Sequence, residues 1–247
     1  MSLISIITPT YNPVPEHLLA AYESVRSQTM PSGWDWEWLV QEDGQTRKAE
    51  DILPADARIV FGRARHGGSA ITRNFALSHA RGDLVKNLDG DDILTPGALG
   101  RDITNMQRNV RWTCSRVLDL MPDGTTIGFD NDPEPGRIEP GYVFDHWKSH
   151  NYRLPIHPTT ICIDRQLVIA LGGWMAVPGS DDTGMFVAAS LLSPGYFESE
   201  VGLLYRKWPG QGTASAEHTE AYEWRTRMHL IEERGEAIRA GEIAAAR

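Results

Sequence analysis

The sequence predicts an α/β fold: a mostly parallel sheet flanked by helices, with a smaller antiparallel part in its second half. Three observations carry this. Short apolar runs of strand length alternate with segments whose apolar residues recur at helical spacing. The runs are apolar on both faces, as the strands of a covered parallel sheet are. After Arg111 the pattern changes, and residues 112–121 and 125–129 flank Pro122-Asp123-Gly124, a hairpin signal.

Taken in order, Leu3-Ile4-Ser5-Ile6-Ile7 is a buried strand, ended by Thr8-Pro9-Thr10-Tyr11-Asn12-Pro13. Beyond Pro15, the spacing of Leu18, Tyr22 and Val25 predicts a helix to about Gln28. Residues 36–41 form a second strand, closed by Glu42-Asp43-Gly44, and Arg58-Ile59-Val60-Phe61 a third. Gly67-Gly68-Ser69 opens a helix carrying Ile71, Phe75, Leu77 and Ala80, and its exposed amides suit a phosphate. A fourth strand, 84–88, runs into Asp89-Gly90-Asp91-Asp92. Thr95-Pro96 reads as the cap and first residue of a helix. Residues 130–140, acidic and rich in Pro and Gly, are expected to be a surface loop. A short strand (159–163), a helix (164–171), a break at Gly172-Gly173-Trp174 and a helix after Asp181-Asp182 follow. Residues 220–239 form a charged helix whose Trp224, Met228, Ile231 and Ile238 share one face, expected to pack on the body. With no repeat and no linker, one domain over 1–247 is expected: halves 1–110 and 111–218, then a C-terminal helix in 219–247.

Hydrophobic residues at 41% and charged residues at 23% describe a globular chain. A net charge of −9 argues against nucleic acid or an anionic membrane as main partner, since both attract basic surfaces. Cys114 and Cys162 lack metal-ligand spacing and sit in apolar runs, so two buried free thiols in a reducing compartment are expected. No basic segment precedes the first strand, and the longest apolar run, 185–192, is too short to span a bilayer. The expected location is cytoplasmic, without an integral membrane segment.

The acidic cluster carries the chemistry. Three carboxylates within Asp89-Gly90-Asp91-Asp92 repel one another unless a cation or hydrogen-bond donors offset the charge. They lie where a strand emerges, the place at which open α/β sheets bind ligands. Hard oxygens of this kind suit Mg²⁺ or Mn²⁺ holding a phosphate group.

Four motifs fall in order: Ile6-Ile7-Thr8-Pro9-Thr10-Tyr11-Asn12, Val40-Gln41-Glu42-Asp43-Gly44, Gly68-Ser69-Ala70-Ile71-Thr72-Arg73-Asn74 and Leu88-Asp89-Gly90-Asp91-Asp92. This set resembles the family 2 glycosyltransferases, with their Rossmann-like GT-A fold and Asp-x-Asp metal motif. The resemblance covers about residues 3–96, continues less sharply through Gly172-Gly173-Trp174 and Ser180-Asp181-Asp182, and fades after Trp208. It implies inverting transfer of a sugar from a nucleotide-diphosphate sugar to an acceptor hydroxyl. UDP-sugar is favoured, because a carboxylate such as Asp43 accepts the imide N–H of uracil; dTDP- and GDP-sugars stay open.

By the same resemblance, residues 1–110 form the nucleotide-sugar half and 111–218 the acceptor and catalytic half. Thr8, Pro9, Thr10, Tyr11, Asn12, Glu42, Asp43, Arg73, Asp89 and Gly90 contact the donor. Asp91, with Asp89, holds Mn²⁺ or Mg²⁺, and Asp92 stands behind them. The general base comes from Asp181 and Asp182, with Asp182 ahead. His157 and Trp174 belong to the acceptor side, and Asn74 orients the donor or the aspartates. Glu42 and Thr72 replace the family's usual Asp and Ala. The histidine that many relatives carry near Trp208 is missing, which leaves a third protein ligand open. Two other functional classes fit the sequence less well. A sugar-phosphate nucleotidyltransferase would carry a Gly-rich basic segment where Thr-Pro-Thr-Tyr-Asn stands. An inactive nucleotide-sugar-binding protein would have no need of both acidic pairs. Neither the acceptor nor the oligomeric state is legible.

Overall fold

The structure, a computed structural model, describes residues 1–212 and 220–241. Its centre is one ten-stranded sheet. Four parallel strands come from the first motifs: β1 (Ser2–Thr10), β2 (Trp34–Asp43), β3 (Ile59–Ala64) and β4 (Leu84–Asn87). They lie in the order β3-β2-β1-β4, with Ile6 paired to Trp38 on one side and to Lys86 on the other. The order reverses between β1 and β4, so their carboxyl ends flank the crevice where such sheets bind ligands.

Helices cover both faces. Helix α1 (Pro15–Arg26) buries Leu18, Tyr22 and Val25 against Ile4, Ile6, Trp36 and Trp38. A short α2 (Lys48–Ile52), absent from the sequence reading, follows β2. On the other face, α3 (Ser69–His79) packs Ala70, Ala76 and Leu77 on Ile7, Leu39 and Val85. Its buried side is not the one the aliphatic spacing suggested: Ile71 and Phe75 are 40% and 46% exposed, while Thr72 and Arg73 face inward.

The second half is woven into the same sheet. Strand β9 (Cys162–Asp164) inserts antiparallel between β4 and β6 (Trp112–Leu120). Strand β10 (Gly195–Arg206) runs parallel to β6 and carries the short antiparallel β5 (Ile93–Leu94) and β8 (Gly136–Ile138). The hairpin at Pro122-Asp123-Gly124 forms, although its second strand, β7, spans only Thr126–Ile127. The stretch 130–140 is therefore not all loop, and the strand expected at 159–163 begins three residues later, after a 3-10 turn at Pro158–Thr160.

Helix α4 (Ala98–Met106) starts at Gly97, whose φ of 76° a non-glycine residue would resist. Thr95, expected as the cap, instead donates its hydroxyl to the Val201 carbonyl on β10. Helices α5 (Tyr142–Ser149), α6 (Arg165–Ala170) and α7 (Asp181–Leu192) complete the body. Asp164 caps α6 by accepting from the Leu167 N–H (2.8 Å). Helix α8 (Ala221–Arg239) packs Met228 and Ile231 on Phe144, Trp147 and Val187, and Ile238 on the main core, as expected of the C-terminal helix. Cys114 and Cys162 are both buried free thiols. Among the described residues no helix is long and apolar enough to cross a membrane.

One buried ion pair anchors the centre of the sheet. Lys86, in the middle of β4, reaches Asp102 of α4 at 2.8 Å and the Thr160 carbonyl at 2.6 Å. Next to it, Gly82 passes so close to β1 that a Cβ there would stand 2.6 Å from the Ser5 nitrogen.

Candidate active site

The carboxyl ends of β1 and β4 open into a cavity of about 680 Å³. From the first half its walls take Pro9, Thr10, Tyr11, Asn12, Asp43, Arg73, Asp89, Gly90 and Asp91; from the second, His157, Asp181 and Asp182. The structure thus brings together most of the residues that sequence reasoning singled out.

Arg73 is the hub. One nitrogen, Nη1, donates to Asp181 at 2.6 Å, and the other, Nη2, to Asp89 at 2.6 Å. Arg73 and Asp181 are buried, while Asp89 retains contact with solvent. Burial alone would weaken the Arg73 charge, but Asp181, Asp89 and Asp182 outweigh it and hold the guanidinium above its usual range. Ser69 Oγ donates to the other oxygen of Asp181 at 3.0 Å, so both oxygens of that carboxylate are held by protein donors.

Asp182 differs from its neighbour. Among the described residues it accepts only from Thr183, through the N–H that follows it (2.7 Å) and the hydroxyl at 3.5 Å. Burial, and then the charge of Asp181, push its carboxyl up to about 6, with Arg73 opposing. Of the two aspartates, Asp182 is the one free to exchange a proton with something in the cavity. Ser180, in the left-handed region at φ 58°, turns the chain so that both carboxylates enter at the start of α7.

In the acidic loop, Asp91 Oδ2 accepts the indole N–H of Trp208 at 2.7 Å. Burial and the Asp89 charge raise the Asp91 carboxyl, and the Trp208 bond partly offsets them. Asp92 is fully buried and pushed well above its usual range, first by burial and then by Asp89 and Asp91. It accepts from the Arg206 N–H (2.9 Å), while Arg206 Nε donates to the Asp91 carbonyl (2.7 Å); together they clamp the loop to the end of β10. The edge of His17 meets Trp208 at 5.1 Å between ring centres. Sequence reasoning passed over His17, one of several polar residues on an amphipathic helix, and had no signal for the Trp208–Asp91 bond.

A divalent cation fits this loop. Its carboxylates are hard oxygens, Asp91 lines the cavity, and burial together with the Asp89 charge penalises the charged form of Asp91, a penalty that a cation would relieve. No group of three or more ligating side chains occurs among the described residues, so Asp91, with Asp89, would supply one or two ligands. Mg²⁺-type sites usually take the remainder from water and substrate phosphates.

Several expected donor contacts are structural. Thr8 is buried; its hydroxyl donates to the Leu88 carbonyl (2.6 Å) and accepts from Trp38 Nε1 (2.7 Å), tying β1 to the acidic loop. Glu42 turns away from the cavity and accepts the N–H groups of Thr46 and Arg47, both at 2.8 Å. Asp43 does reach the cavity, but it also accepts the amides of Gly67 (2.7 Å) and Gly68 (3.0 Å). Those amides, expected to meet a phosphate, already hold a carboxylate.

His66 lies 2.9 Å from Asp43 and 4.8 Å, centre to centre, from the exposed ring of Tyr11. Asn74 is spent on the 173–174 turn, bonding both the carbonyl and the N–H of Trp174 at 2.9 Å. Trp174 itself is a core residue, 1% exposed, and does not line the cavity. His157 does; burial lowers its imidazole to about 4, so it is neutral and bonded to Thr159 (2.8 Å).

Residues 5–161 match the profile of glycosyl transferase family 2, and the chain belongs to that family. It is 33% identical over 166 residues to an uncharacterized glycosyltransferase of Methanocaldococcus jannaschii, covering 64% of this chain and 54% of that one. It is 32% identical over 139 residues to the putative teichuronic acid biosynthesis glycosyltransferase TuaG of Bacillus subtilis, covering 53% and 54%. The chain spans about half the length of these curated relatives. Among solved structures, S. aureus TarS 1-349 in complex with UDP-GlcNAc superposes with a TM-score of 0.72 at 18% identity, over 97% of this chain and 71% of that one. The shared fold is the expected GT-A arrangement.

Proposed function

We propose that this chain transfers a sugar from a nucleotide-diphosphate sugar to an acceptor hydroxyl, with inversion at the anomeric carbon. The observation that carries it is the meeting of two acidic pairs, Asp89/Asp91 and Asp181/Asp182, across one cavity, joined by Arg73. In this reading Asp182 removes the acceptor hydroxyl proton as that oxygen attacks the anomeric carbon. The bond between sugar and diphosphate breaks, and its electron pair leaves with the nucleoside diphosphate. A carboxyl near 6 is ionised at neutral pH and still basic enough to accept a proton. Arg73 fixes Asp181 and Asp89, so donor-side and acceptor-side carboxylates keep one relative position.

Tyr11 and His66 offer flat faces for a nucleobase beside Asp43, whose remaining lone pairs suit an imide N–H. A UDP-sugar is the donor of first choice. The UDP-GlcNAc bound to TarS supports it, as does the name of a 36% identical relative, an Escherichia coli UDP-Glc-dependent glucosyltransferase. Mn²⁺ or Mg²⁺ held by Asp91, with Asp89, would supply positive charge toward the departing diphosphate.

The test is nucleotide release. Wild-type protein is incubated with Mn²⁺, UDP-, dTDP- or GDP-sugars and an acceptor pool, and Asp182→Asn is run in parallel. Release by the wild type and loss of at least a hundredfold in the variant, roughly the span of general-base catalysis, are expected. Tight donor binding with neither transfer nor hydrolysis would overturn the catalytic reading.

A further inference from the structure

His146, in helix α5, and His150, the residue that caps it, stand four positions apart, the spacing that puts two side chains on one helical face. Their rings are parallel to within 2° and 3.8 Å apart, centre to centre. The structure assigns this pair as a chelating site for a divalent transition cation of the Zn²⁺, Ni²⁺ and Cu²⁺ class, separate from the acidic cavity.

The bonding of His150 is the first argument. Its Nδ1 lies 2.9 Å from the His146 carbonyl oxygen, which can only accept, so Nδ1 carries the hydrogen. The Ser149 hydroxyl, 3.0 Å from the same nitrogen, holds the ring from a second direction. Nε2 is therefore left with its lone pair. Metal-ligating histidines are built this way: the other nitrogen donates to a backbone carbonyl, which fixes both tautomer and ring.

His146 supplies the second lone pair. Its ring makes no hydrogen bond to the described residues. Burial, and then the closeness of His150, lower its imidazole, so the neutral form dominates at pH 7. The pair is also within reach of an ion. Helix α5 buries Val143, Phe144 and Trp147, whereas His150 is exposed and His146 half-buried. A cation bonded at about 2.0–2.1 Å to each ring holds the two nitrogens roughly 3 Å apart. Rings already stacked at 3.8 Å reach that spacing when each turns about its Cβ–Cγ bond, a torsion with broad freedom.

Ligand chemistry sets the class of metal. Imidazole nitrogen suits Zn²⁺, Ni²⁺ and Cu²⁺, while carboxylates such as Asp89 and Asp91 suit Mg²⁺ and Mn²⁺. With no group of three or more ligating side chains among the described residues, water completes the shell around the two rings. Directly after His150 the chain reverses through Asn151 and Tyr152, at φ 51° and 61°. A bridged pair pins the last turn of α5 to that reversal.

Titration calorimetry with Ni²⁺ on the full chain, free of any affinity tag and with Mg²⁺ in excess, tests this. Expected is a saturable isotherm, weakened about tenfold or more in His146→Gln and in His150→Gln and unchanged in Asp91→Ala. Electron paramagnetic resonance of the wild type with one equivalent of Cu²⁺ should show two nitrogen donors, a reading that needs no variant to fold. The assignment is overturned if Ni²⁺ does not bind, if neither histidine variant weakens it, if Asp91→Ala abolishes it, or if the Cu²⁺ spectrum shows fewer than two nitrogens.

Discussion

Replacing Arg73 by Met removes the buried cation that pairs with Asp181 and Asp89 and keeps most of the side-chain volume. The two ion pairs it breaks are unequal. Arg73 and Asp181 are 6% and 4% exposed at the side chain, so Asp181 is left charged without water to solvate it. Asp89, 27% exposed, is partly hydrated, and its pair is worth little. Breaking one buried pair costs about 3–5 kcal/mol, and at about 2–4 °C per kcal/mol for a chain this size Tm should fall by roughly 6–20 °C. A double-mutant cycle separates charge from packing. Where both partners are neutral the penalty largely disappears, so Arg73→Met with Asp181→Asn should recover at least half of the loss. Differential scanning fluorimetry at pH 7.5 reads all four proteins. A Tm within 2 °C of wild type for Arg73→Met, or a double variant that falls by the sum of the singles, would refute the hub role.

Further outcomes follow from the same site. Because the Asp182 carboxyl sits near 6, log kcat/KM should fall with unit slope as pH drops below about 6. A folded-state pKa raised above the ordinary value stabilises the protonated form, and that stability is lost as pH rises through about 6. Between pH 5 and 8, therefore, the Tm of Asp182→Asn should gain on the wild type. Asp91→Ala should cut metal-dependent transfer roughly a hundredfold or more, the scale of one lost electrostatic stabiliser, with circular dichroism unchanged; full retained activity would remove Asp91 from the site. Gly82→Ala should cost about 1–3 kcal/mol, since the added Cβ meets main-chain atoms that cannot yield, and urea titration will measure it.

The parts of the fold legible in the sequence are those whose signal is local. Strands β1 and β2 are apolar on both faces, and α1 carries a clean apolar spacing. Lys86 shows the limit. A charged residue can sit in the middle of a buried strand only because Asp102 arrives from α4, a partner no window around residue 86 contains. Strand β10 went unread because Glu198-Ser199-Glu200 interrupts its apolar pattern at a register shift, where Glu198 accepts from Asn105 and Glu200 pairs with Arg101. The cap at Thr95 failed because its hydroxyl had a stronger claim in Val201. In the site, the acidic motifs were legible as motifs, but the division of labour was not. That Asp181 is bound by Arg73 and Ser69 while Asp182 is free depends on contacts 108 and 112 residues away in the chain. Trp174 was placed on the acceptor side by the resemblance alone, and no local signal separates that role from the core position it occupies, 1% exposed.

The insertion of β9 between β4 and β6 has a consequence for how the chain folds. Strand β4 has a neighbour on one side as soon as β1 exists, but on the other only after residues 162–164 have been made. During synthesis the early four-stranded layer therefore carries an open edge at β4, the strand that leads into the acidic loop. Long-range pairing of this kind is slow to form and leaves intermediates prone to associate edge to edge. Lys86 would lie on that open edge as an unpaired charge until Asp102 and Thr160 arrive, and charged residues on edges discourage wrong partners. The same lysine that is costly to bury in the finished sheet would guard the unfinished one.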